Sequence, residues 1–286
     1  MLCLDNPQQS ESQPAVFPLI FMNDLPVEAV KAFKKVCSQA ARASSEYHLI
    51  QPGDRVLAAV SGGLDSLVML ETLIHLQKKV PFEFDLQAIT FDPGFPEFNS
   101  RGIADYCNQR NIRHSIIKLD VASLLTPAPD GRFRRPCVRC SRLRRGKLYG
   151  ASRDLKVNKL ALGHHADDLL ESFVMSLIRG QGLTTMGPNV LADEANGENG
   201  QLRIIRPLAL LEEKTVKAAA NCFEFPIAGE CPYKEELDAS GDRAWVKREL
   251  ARWQERIPDL KTLMLKSMNK VEVEWLLDKR YINTER

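Results

Sequence analysis

Six consecutive residues, Ser61 to Ser66, combine hydroxyl, carboxylate and glycine groups in a pattern that suits phosphate chemistry. They read Ser-Gly-Gly-Leu-Asp-Ser and stand between an apolar run and a helix-like run. Gly62 and Gly63 let the backbone turn tightly, and the amide groups at the start of a helix favour an anion. Ser61 and Ser66 can donate to phosphate oxygens, and Asp65 can hold Mg²⁺ directly or through water. We therefore predict a nucleotide-phosphate site here, with an ordinary capped turn as the alternative.

A second candidate site is the Cys-x-x-Cys formed by Cys137 and Cys140. This spacing lets two thiolates reach one metal, as half of a zinc site or part of an iron–sulfur site, and it also suits a redox pair. A structural zinc would need two more ligands, for which His164 and His165 are available. Cys231 is a third thiol in a turn-like context. We expect the remaining cysteines to be small buried hydrophobes: Cys3, Cys37, Cys107 and Cys222.

The segment around these two cysteines is strongly basic, because residues 131–148 contain no Asp or Glu. Guanidinium groups offer planar forks of donors to phosphates and release counterions on contact. We therefore predict an RNA-binding surface next to the Cys-x-x-Cys site. The alternative is a basic face that is only solvated. Its cations are Arg132, Arg134, Arg135, Arg139, Arg142, Arg144, Arg145 and Lys147.

The stretch Gly-His-His-Ala-Asp-Asp, residues 163–168, follows a predicted strand and opens a predicted helix. Paired carboxylates at a strand end can hold magnesium or act as a general base, and Asp also caps helices. Capping explains Asp167 as well as chemistry does, whereas we favour a chemical role for Asp168. Of the two histidines, we expect His164 rather than His165 to lie near the nucleotide.

The bulk composition is that of a globular protein. The chain has 286 residues, of which 44% are hydrophobic, and a formal net charge of +2. This charge does not by itself indicate nucleic acid, so an RNA partner has to be argued from local clustering. No apolar run is long enough for a membrane span, and the N-terminus lacks the features of a secretory signal. Seven cysteines, an odd number, argue against a disulfide framework, so we expect a cytoplasmic location.

The order of predicted elements indicates an α/β fold with a doubly wound, mainly parallel sheet flanked by helices. Strands are predicted at 55–60, 85–91, 113–118 and 158–162, alternating with helices near 66–77, 100–110, 141–155 and 168–179. Further helices are expected at 27–47, at 212–225 and from 242 onward, as N- and C-terminal helical extensions. Residues 188–201 read as a surface loop. Three segments then share one rim of the sheet: 61–66, 90–96 and 163–168.

In this order, the motifs SGGLDS, PCVRCSRLRRGKLY, LGHHADD, IRPL and FPIAGEC resemble the TtcA family of tRNA 2-thiocytidine synthetases, within the PP-loop ATP pyrophosphatases. The likeness runs from about residue 52 to residue 259. It implies that ATP adenylates the carbonyl oxygen of cytidine 32 in the anticodon loop of tRNA and that sulfur replaces this oxygen. It also implies a [4Fe-4S] cluster held by three cysteines, with one iron free for sulfur that a cysteine desulfurase supplies, and a possible homodimer.

Carried over to this chain, the resemblance assigns each implied role to a matching residue. The cluster thiols would be Cys137, Cys140 and Cys231. Asp65, Asp168 and Arg144 would serve catalysis, and Arg142, Arg145 and Lys147 would bind tRNA. The ATP and Mg²⁺ site would comprise Ser61, Gly62, Gly63, Asp65, Ser66, Thr90, Gly163 and His164.

Two positions depart from the family pattern. Leu64 stands where the family commonly has a lysine, which removes a charge near the phosphates. The second Cys-x-x-Cys that the family often shows near Cys231 is absent, since the chain reads Cys-Pro-Tyr-Lys. These departures keep two rivals open: a PP-loop enzyme acting on another RNA position or a small molecule, and a non-catalytic RNA-binding module with structural zinc.

The sequence also suggests a division of the chain. We predict a loosely ordered lead-in over residues 1–23 and a helical segment over 24–50. A catalytic ATP-binding domain would follow over 51–235, with the Cys-x-x-Cys and the basic tRNA-binding insert inside it. A helical extension over 236–286 would close the chain.

Overall fold

The computed structural model describes residues 26–121, 136–192, 202–229, 231–232, 239 and 241–281. The predicted lead-in over 1–23 lies outside these residues. The strands are β1 (Arg55–Ala59), β2 (Asp85–Asp92), β3 (Arg113–Lys118), β4 (Lys159–Ala161), β5 (Asn189–Leu191) and β6 (Arg203–Ile205). The helices are α1 (Val27–Tyr47), α2 (Leu64–Lys79), α3 (Ser100–Gln109), α4 (Pro136–Asp154), α5 (Ala166–Ile178), α6 (Glu213–Ala220), α7 (Asp242–Arg256) and α8 (Leu260–Met268). Two short 3₁₀ turns follow, Val273–Trp275 and Lys279–Tyr281.

The six described strands form one sheet in the order β3-β2-β1-β4-β6-β5. All neighbouring pairs are parallel except β5 and β6, which are antiparallel. From β1, the chain adds β2 and β3 on one side and β4, β6 and β5 on the other, as in a doubly wound sheet. The loops after the parallel strands therefore lie at the same edge of the sheet. This confirms the predicted α/β fold.

Helices cover both faces of the sheet. Side chains alternate along each strand, so successive residues pack against helices on opposite faces. Val56 and Ala58 of β1 point into a core that contains residues of α1, α2, α3 and α6. Leu57, between them, points into a second core together with Leu148 and Tyr149 of α4. Burial on both faces explains why β1 is apolar after its first residue and why all of β2 after its first residue is buried.

The chain divides into two compact units. The first comprises the residues up to His165 together with Gly187–Lys234, and it contains the whole sheet. The second comprises Ala166–Met186 and Glu235–Arg286. In the second unit, α5 packs on α7 and α8 through Leu170, Val174, Val246 and Leu250. The boundary between His165 and Ala166 divides the Gly-His-His-Ala-Asp-Asp motif.

Helix α4 begins five residues earlier than predicted, at Pro136 instead of residue 141. Proline is favoured in the first turn of a helix, because its missing N–H would have no partner there and its φ angle is already helical. The Cys-x-x-Cys therefore lies inside the first turn of a helix. The role of Cys137 and Cys140 as a metal-binding pair stays a prediction.

Two other segments differ from their predictions. The helix predicted over 212–225 ends at Ala220, and the residues after it pack through aromatic rings, with Phe223 at 4.9 Å from Phe33 between centroids. Residues 189–191, predicted as loop, pair with β6. Asn189 reads as a turn residue, but its side chain donates to the carbonyl groups of Tyr47 and His48 and so fixes the edge of the sheet.

None of the helices that the structure describes is long and apolar enough to cross a membrane.

Candidate active site

The loop from Ser61 to Ser66 follows β1 and is held by its own hydroxyl groups. The Ser66 hydroxyl donates to the Gly63 carbonyl at 2.8 Å and accepts from the Ser61 amide at 3.1 Å. The Gly63 amide points to the Ser61 hydroxyl at 3.4 Å. The loop ends at the N-terminus of α2, where the helix dipole is positive. The Ser66 and Leu67 amides there donate to the Gly63 carbonyl, at 3.1 and 3.3 Å. Such a turn can cradle a phosphate group.

Two glycines allow other segments to approach this loop closely. Gly62 has φ +83°, and a Cβ there would lie 2.1 Å from the Cβ of Ala228. A Cβ on Gly163 would lie 2.9 Å from the backbone nitrogen and Cα of Ser66. Both separations are too short for real carbon contacts. The end of β4 therefore contacts the backbone of the phosphate loop, as the rim predicted for residues 61–66 and 163–168 requires. The segment before Cys231 contacts the loop through the Ala228 side chain.

A methyl group at Gly163 provides a test of this approach. We expect Gly163→Ala to lower the free energy of unfolding by about 1–3 kcal/mol, because the added carbon meets rigid backbone, and to weaken ATP binding. Gly150→Ala in α4 is the matched control, since its Cβ would meet no atom within 4 Å. In the control, helix propensity predicts a gain of up to about 1 kcal/mol. Urea unfolding and ATP titration measure both effects, and ATP affinity at the wild-type level in Gly163→Ala would contradict the contact.

The two adjacent histidines face different partners, and the expected proximity of His164 to the nucleotide stays a prediction. His165 is buried, and its Nε2 lies 3.9 Å from Oδ2 of Asp65 in the phosphate loop. His164 instead accepts a hydrogen bond at Nδ1 from the guanidinium of Arg206, at 3.2 Å. His165, not His164, is thus the neighbour of the phosphate loop. The sequence could not distinguish them, since adjacent residues after a strand point in opposite directions.

Thr90 is fully buried in β2, and its hydroxyl is 2.9 Å from Nε2 of His114 in β3. Its side chain thus points to a neighbouring strand, and its position lends no support to the expected role at the adenosine. Leu64, the departure from the family pattern, is the first residue of α2 and is 47% exposed. An apolar side chain therefore stands exposed where the family commonly places a charge.

Asp167 and Asp168 lie in the first turn of α5, in the second unit. Asp167 is buried and accepts from the ammonium of Lys261 at 2.6 Å. Asp168 lies 3.6 Å from the guanidinium of Arg243, which also lies 3.4 Å from Glu171. Burial raises the pKa of Glu171, whereas Arg243 lowers it. Both aspartates thus face cations of the C-terminal helices, partners that no local sequence signal predicts.

Cys140 and Cys231 are electrostatic neighbours in the first unit. Burial raises the pKa of the Cys140 thiol, Arg144 lowers it, and Cys231 raises it again. Cys140 packs against Phe91 at the end of β2, whereas Cys231 is exposed. Cys140 therefore lies near the carboxyl end of β2, at the edge of the sheet where ligands of such sheets bind.

The segment before Cys231 is fixed by its backbone. The Asn99 amide donates to the Ala228 carbonyl at 3.0 Å. Gly229 has φ +82°, and a Cβ there would lie 2.2 Å from the Glu97 carbonyl oxygen. This close approach requires glycine at position 229, and it fixes the backbone two residues before Cys231. The motif containing Gly229 indicated the third thiol, but only the fold reveals its contact with residues 97–99.

Two of the remaining thiols fit the expectation of buried packing residues, whereas Cys222 is only partly buried. Cys37 and Cys107 are buried, and burial raises the pKa of each to about 12. Cys222 lies just beyond α6, and Cys37 feels its charge. Among the side chains that the structure describes, no three of His, Cys, Asp or Glu converge on a metal position. The side chain of Cys137 lies outside that set, as does Cys3.

The described part of the basic segment is exposed along α4. Arg139, Arg142, Arg144, Arg145 and Lys147 are all exposed, and none of them forms an ion pair with another described residue. The opposite side of the helix buries Leu148 and Tyr149. The predicted Arg132, Arg134 and Arg135 lie outside the described residues. A helix that presents uncompensated cations to solvent is suited to binding phosphates.

Comparisons with known proteins agree with this site. The PP-loop domain family matches residues 31–225. The tRNA-cytidine(32) 2-sulfurtransferase of Pseudomonas paraeruginosa is 34% identical over 264 residues, covering 90% of this chain and 91% of that protein. The enzyme of the same name from Syntrophotalea carbinolica is 33% identical over 256 residues, covering 89% and 95%.

A solved structure has the same fold. The U34-tRNA thiolase NcsA from Methanococcus maripaludis with its [4Fe-4S] cluster superposes with a TM-score of 0.65 and 21% identity, covering 84% of this chain and 78% of that one. At this identity the likeness concerns the fold alone. The sequence relatives carry the assignment further: the chain belongs to the PP-loop family and, within it, to the tRNA-cytidine(32) 2-sulfurtransferases.

Proposed function

We propose that this protein uses ATP to activate cytidine 32 of a tRNA and replaces its 2-oxygen with sulfur. The observation that carries the proposal is the glycine-rich loop of residues 61–66 at the start of α2, which the end of β4 approaches closely. The relatives that share most of the chain are named for this reaction. We further propose that residues 51–235 form the catalytic ATP-binding domain and that residues 236–286 form a C-terminal helical extension.

The phosphate loop would hold ATP for attack at its α-phosphate. Ser61 and Ser66 would donate to phosphate oxygens, and Asp65 would hold Mg²⁺. These groups stabilise charge that develops on the departing pyrophosphate, and they are already fixed by the hydrogen bonds within the loop. The cytidine oxygen becomes bonded to the α-phosphorus as pyrophosphate leaves.

The donor set fits an iron–sulfur cluster better than zinc. Cys137, Cys140 and Cys231 would hold the group through three thiolates. The zinc alternative would recruit His164 or His165, but these side chains face Arg206 and Asp65. When bound, a cluster with one iron free of protein ligands supplies a place for inorganic sulfide. Thiolates are the binding form, so loading releases protons, and Arg144 favours the Cys140 thiolate.

Sulfur transfer would complete the reaction at the activated base. A sulfur nucleophile adds to C2 of the adenylated cytidine, and AMP leaves with the former carbonyl oxygen. Arg144, one turn after Cys140, would stabilise the negative charge on the departing AMP phosphate. A cysteine desulfurase would provide the sulfur as a persulfide, and a two-electron thiol reductant would convert it to the sulfide that attacks C2. Asp168 remains our proposed base, held by Arg243 in the second unit.

The exposed cations of α4 would bind the tRNA backbone. We expect Arg142→Gln, Arg145→Gln and Lys147→Gln each to weaken tRNA binding and to reduce its salt slope by about one unit, since each removes one phosphate contact. Lys31→Gln in α1 is the control, because that lysine is also exposed but pairs with Glu28. Filter binding between low and moderate salt measures the slopes, and unchanged slopes in all three variants would exclude this surface.

The specificity of activation provides the test of the proposed function. AMP release from ATP should rise when tRNA with cytidine at position 32 is added and stay at background with the same tRNA carrying uridine there. Equal release with both tRNAs would favour a PP-loop enzyme for another position. No release with any tRNA, together with zinc in anaerobically purified protein, would favour the RNA-binding module.

A further inference from the structure

A cavity lies beside the first residues of β4 and β6. It is at the opposite end of the strands from the phosphate loop, which follows the last residue of β1. Its volume is about 410 Å³. Lys159 and Arg203 are register partners on these two neighbouring strands, so their side chains leave the sheet side by side. Residues at the end of α1 and the start of β5 complete the wall: Tyr47, His48, Gln51 and Asn189. All of these residues belong to the first unit.

Lys159 is a buried cation that lines this cavity. Its side chain is only 5% exposed, and the nearest carboxylate oxygen, Oδ2 of Asp54, is 3.6 Å from its ammonium nitrogen. That oxygen accepts from the Gln51 amide at 2.7 Å, and the other accepts from Asn158 at 2.7 Å. Within the described residues, the Lys159 ammonium therefore has an ion-pair neighbour but no hydrogen-bond acceptor. Buried donors of this kind normally bond to protein, water or a bound ion.

Arg203 adds a cation in a fixed orientation. Its Nε donates to the side-chain oxygen of Asn189 at 2.6 Å, and Asn189 donates in turn to the carbonyl groups of Tyr47 and His48. These partners are neutral, and no carboxylate among the described residues pairs with Arg203. Lys159 and Arg203 together carry two positive charges against the one negative charge of Asp54. The cavity thus has an excess of positive charge and a preformed guanidinium.

We propose that this cavity binds a phosphate group. A buried ammonium beside an oriented guanidinium is suited to a tetrahedral oxyanion, because both donate charge-assisted hydrogen bonds. The exposed His48 and Gln51 stand at the mouth and can donate further. The group is either free inorganic phosphate or a phosphodiester of bound RNA, since both present the same oxygens. The proposal is independent of the thiolation reaction.

Isothermal titration of the whole protein with inorganic phosphate tests the proposal, and tRNA binding identifies the source. We expect Arg203→Gln to weaken phosphate binding by at least about tenfold, the loss of a hydrogen bond to a charged group. Arg113→Gln is the control, because this arginine begins β3 and pairs with Asp85 on the exposed edge. If the phosphate belongs to RNA, Arg203→Gln also weakens tRNA binding and phosphate competes with tRNA. If it is free phosphate, tRNA affinity is unchanged.

Absence of phosphate binding by the wild-type protein, with tRNA affinity independent of Arg203, would overturn the proposal and leave Lys159 in a structural ion pair. If Arg203→Gln does not fold, the site is tested by amide hydrogen exchange of the wild-type protein with and without phosphate. Phosphate is expected to slow exchange in residues 47–51 and 187–189. Unchanged rates there would count against the site.

Discussion

Replacing Cys140 by alanine is expected to abolish both cluster loading and thiolation. After anaerobic reconstitution with iron and sulfide, Cys140→Ala should lack the visible absorbance of the wild-type protein. Thiolated nucleoside should fall by more than about 100-fold, since losing a ligand costs more than losing a residue that hydrogen-bonds to a ligand. Cys231→Ala should behave in the same way, because we propose Cys231 as the third thiolate of the cluster. AMP release should persist in both variants, as the phosphate loop is untouched.

Cys222→Ala is the matched control for these variants. Cys222 is a partly buried thiol whose electrostatic neighbour is Cys37, so its loss should leave absorbance and activity close to wild type. Full activity in Cys231→Ala would break the three-thiolate arrangement. Zinc in place of iron in the active wild-type protein would contradict it as well.

Asp65→Asn should separate nucleotide chemistry from RNA binding. The substitution keeps the size of the side chain but removes the charge that would hold Mg²⁺, so we expect AMP formation to fall by about 100-fold or more, the scale for losing one electrostatic stabiliser. tRNA affinity should stay within error, because the cations of α4 provide it. AMP assays and filter binding on the same preparation measure both quantities.

Asp105→Asn is the control for this charge removal, since Asp105 is an exposed carboxylate of α3 and should be silent in both assays. Normal AMP formation in Asp65→Asn would remove this residue from the nucleotide site. A parallel loss of tRNA affinity would instead indicate that the substitution damages the fold.

Much of the fold follows from local sequence because burial on two faces leaves a simple signal. The apolar run of β1, the glycine-rich turn into α2 and the alternation of strand and helix candidates along the chain are sufficient to predict a doubly wound sheet. The signal failed where a polar residue serves a distant partner. Asn189 reads as a turn residue, yet it bonds to carbonyl groups at the end of α1, about 140 residues away in the chain.

For the candidate site, the sequence indicates which residue types are present but not which way their side chains point. The thiols and the phosphate loop carry distinctive side chains, so their positions could be named from the sequence. The choice between His164 and His165 depends on which way each points after β4, and this is decided by Asp65 and Arg206. The start of α4 at Pro136 was missed, although a proline ahead of the cysteines was a usable signal.

Nucleoside mass spectrometry of tRNA treated with the protein tests the central claim most directly. The reaction contains anaerobically reconstituted protein, ATP, Mg²⁺, a sulfide source and unmodified tRNA, followed by digestion and by sequencing of the anticodon-loop fragment. We predict 2-thiocytidine at position 32, formed together with AMP and absent when ATP is omitted. AMP release without any thionucleoside, or sulfur at another position, would contradict the assignment.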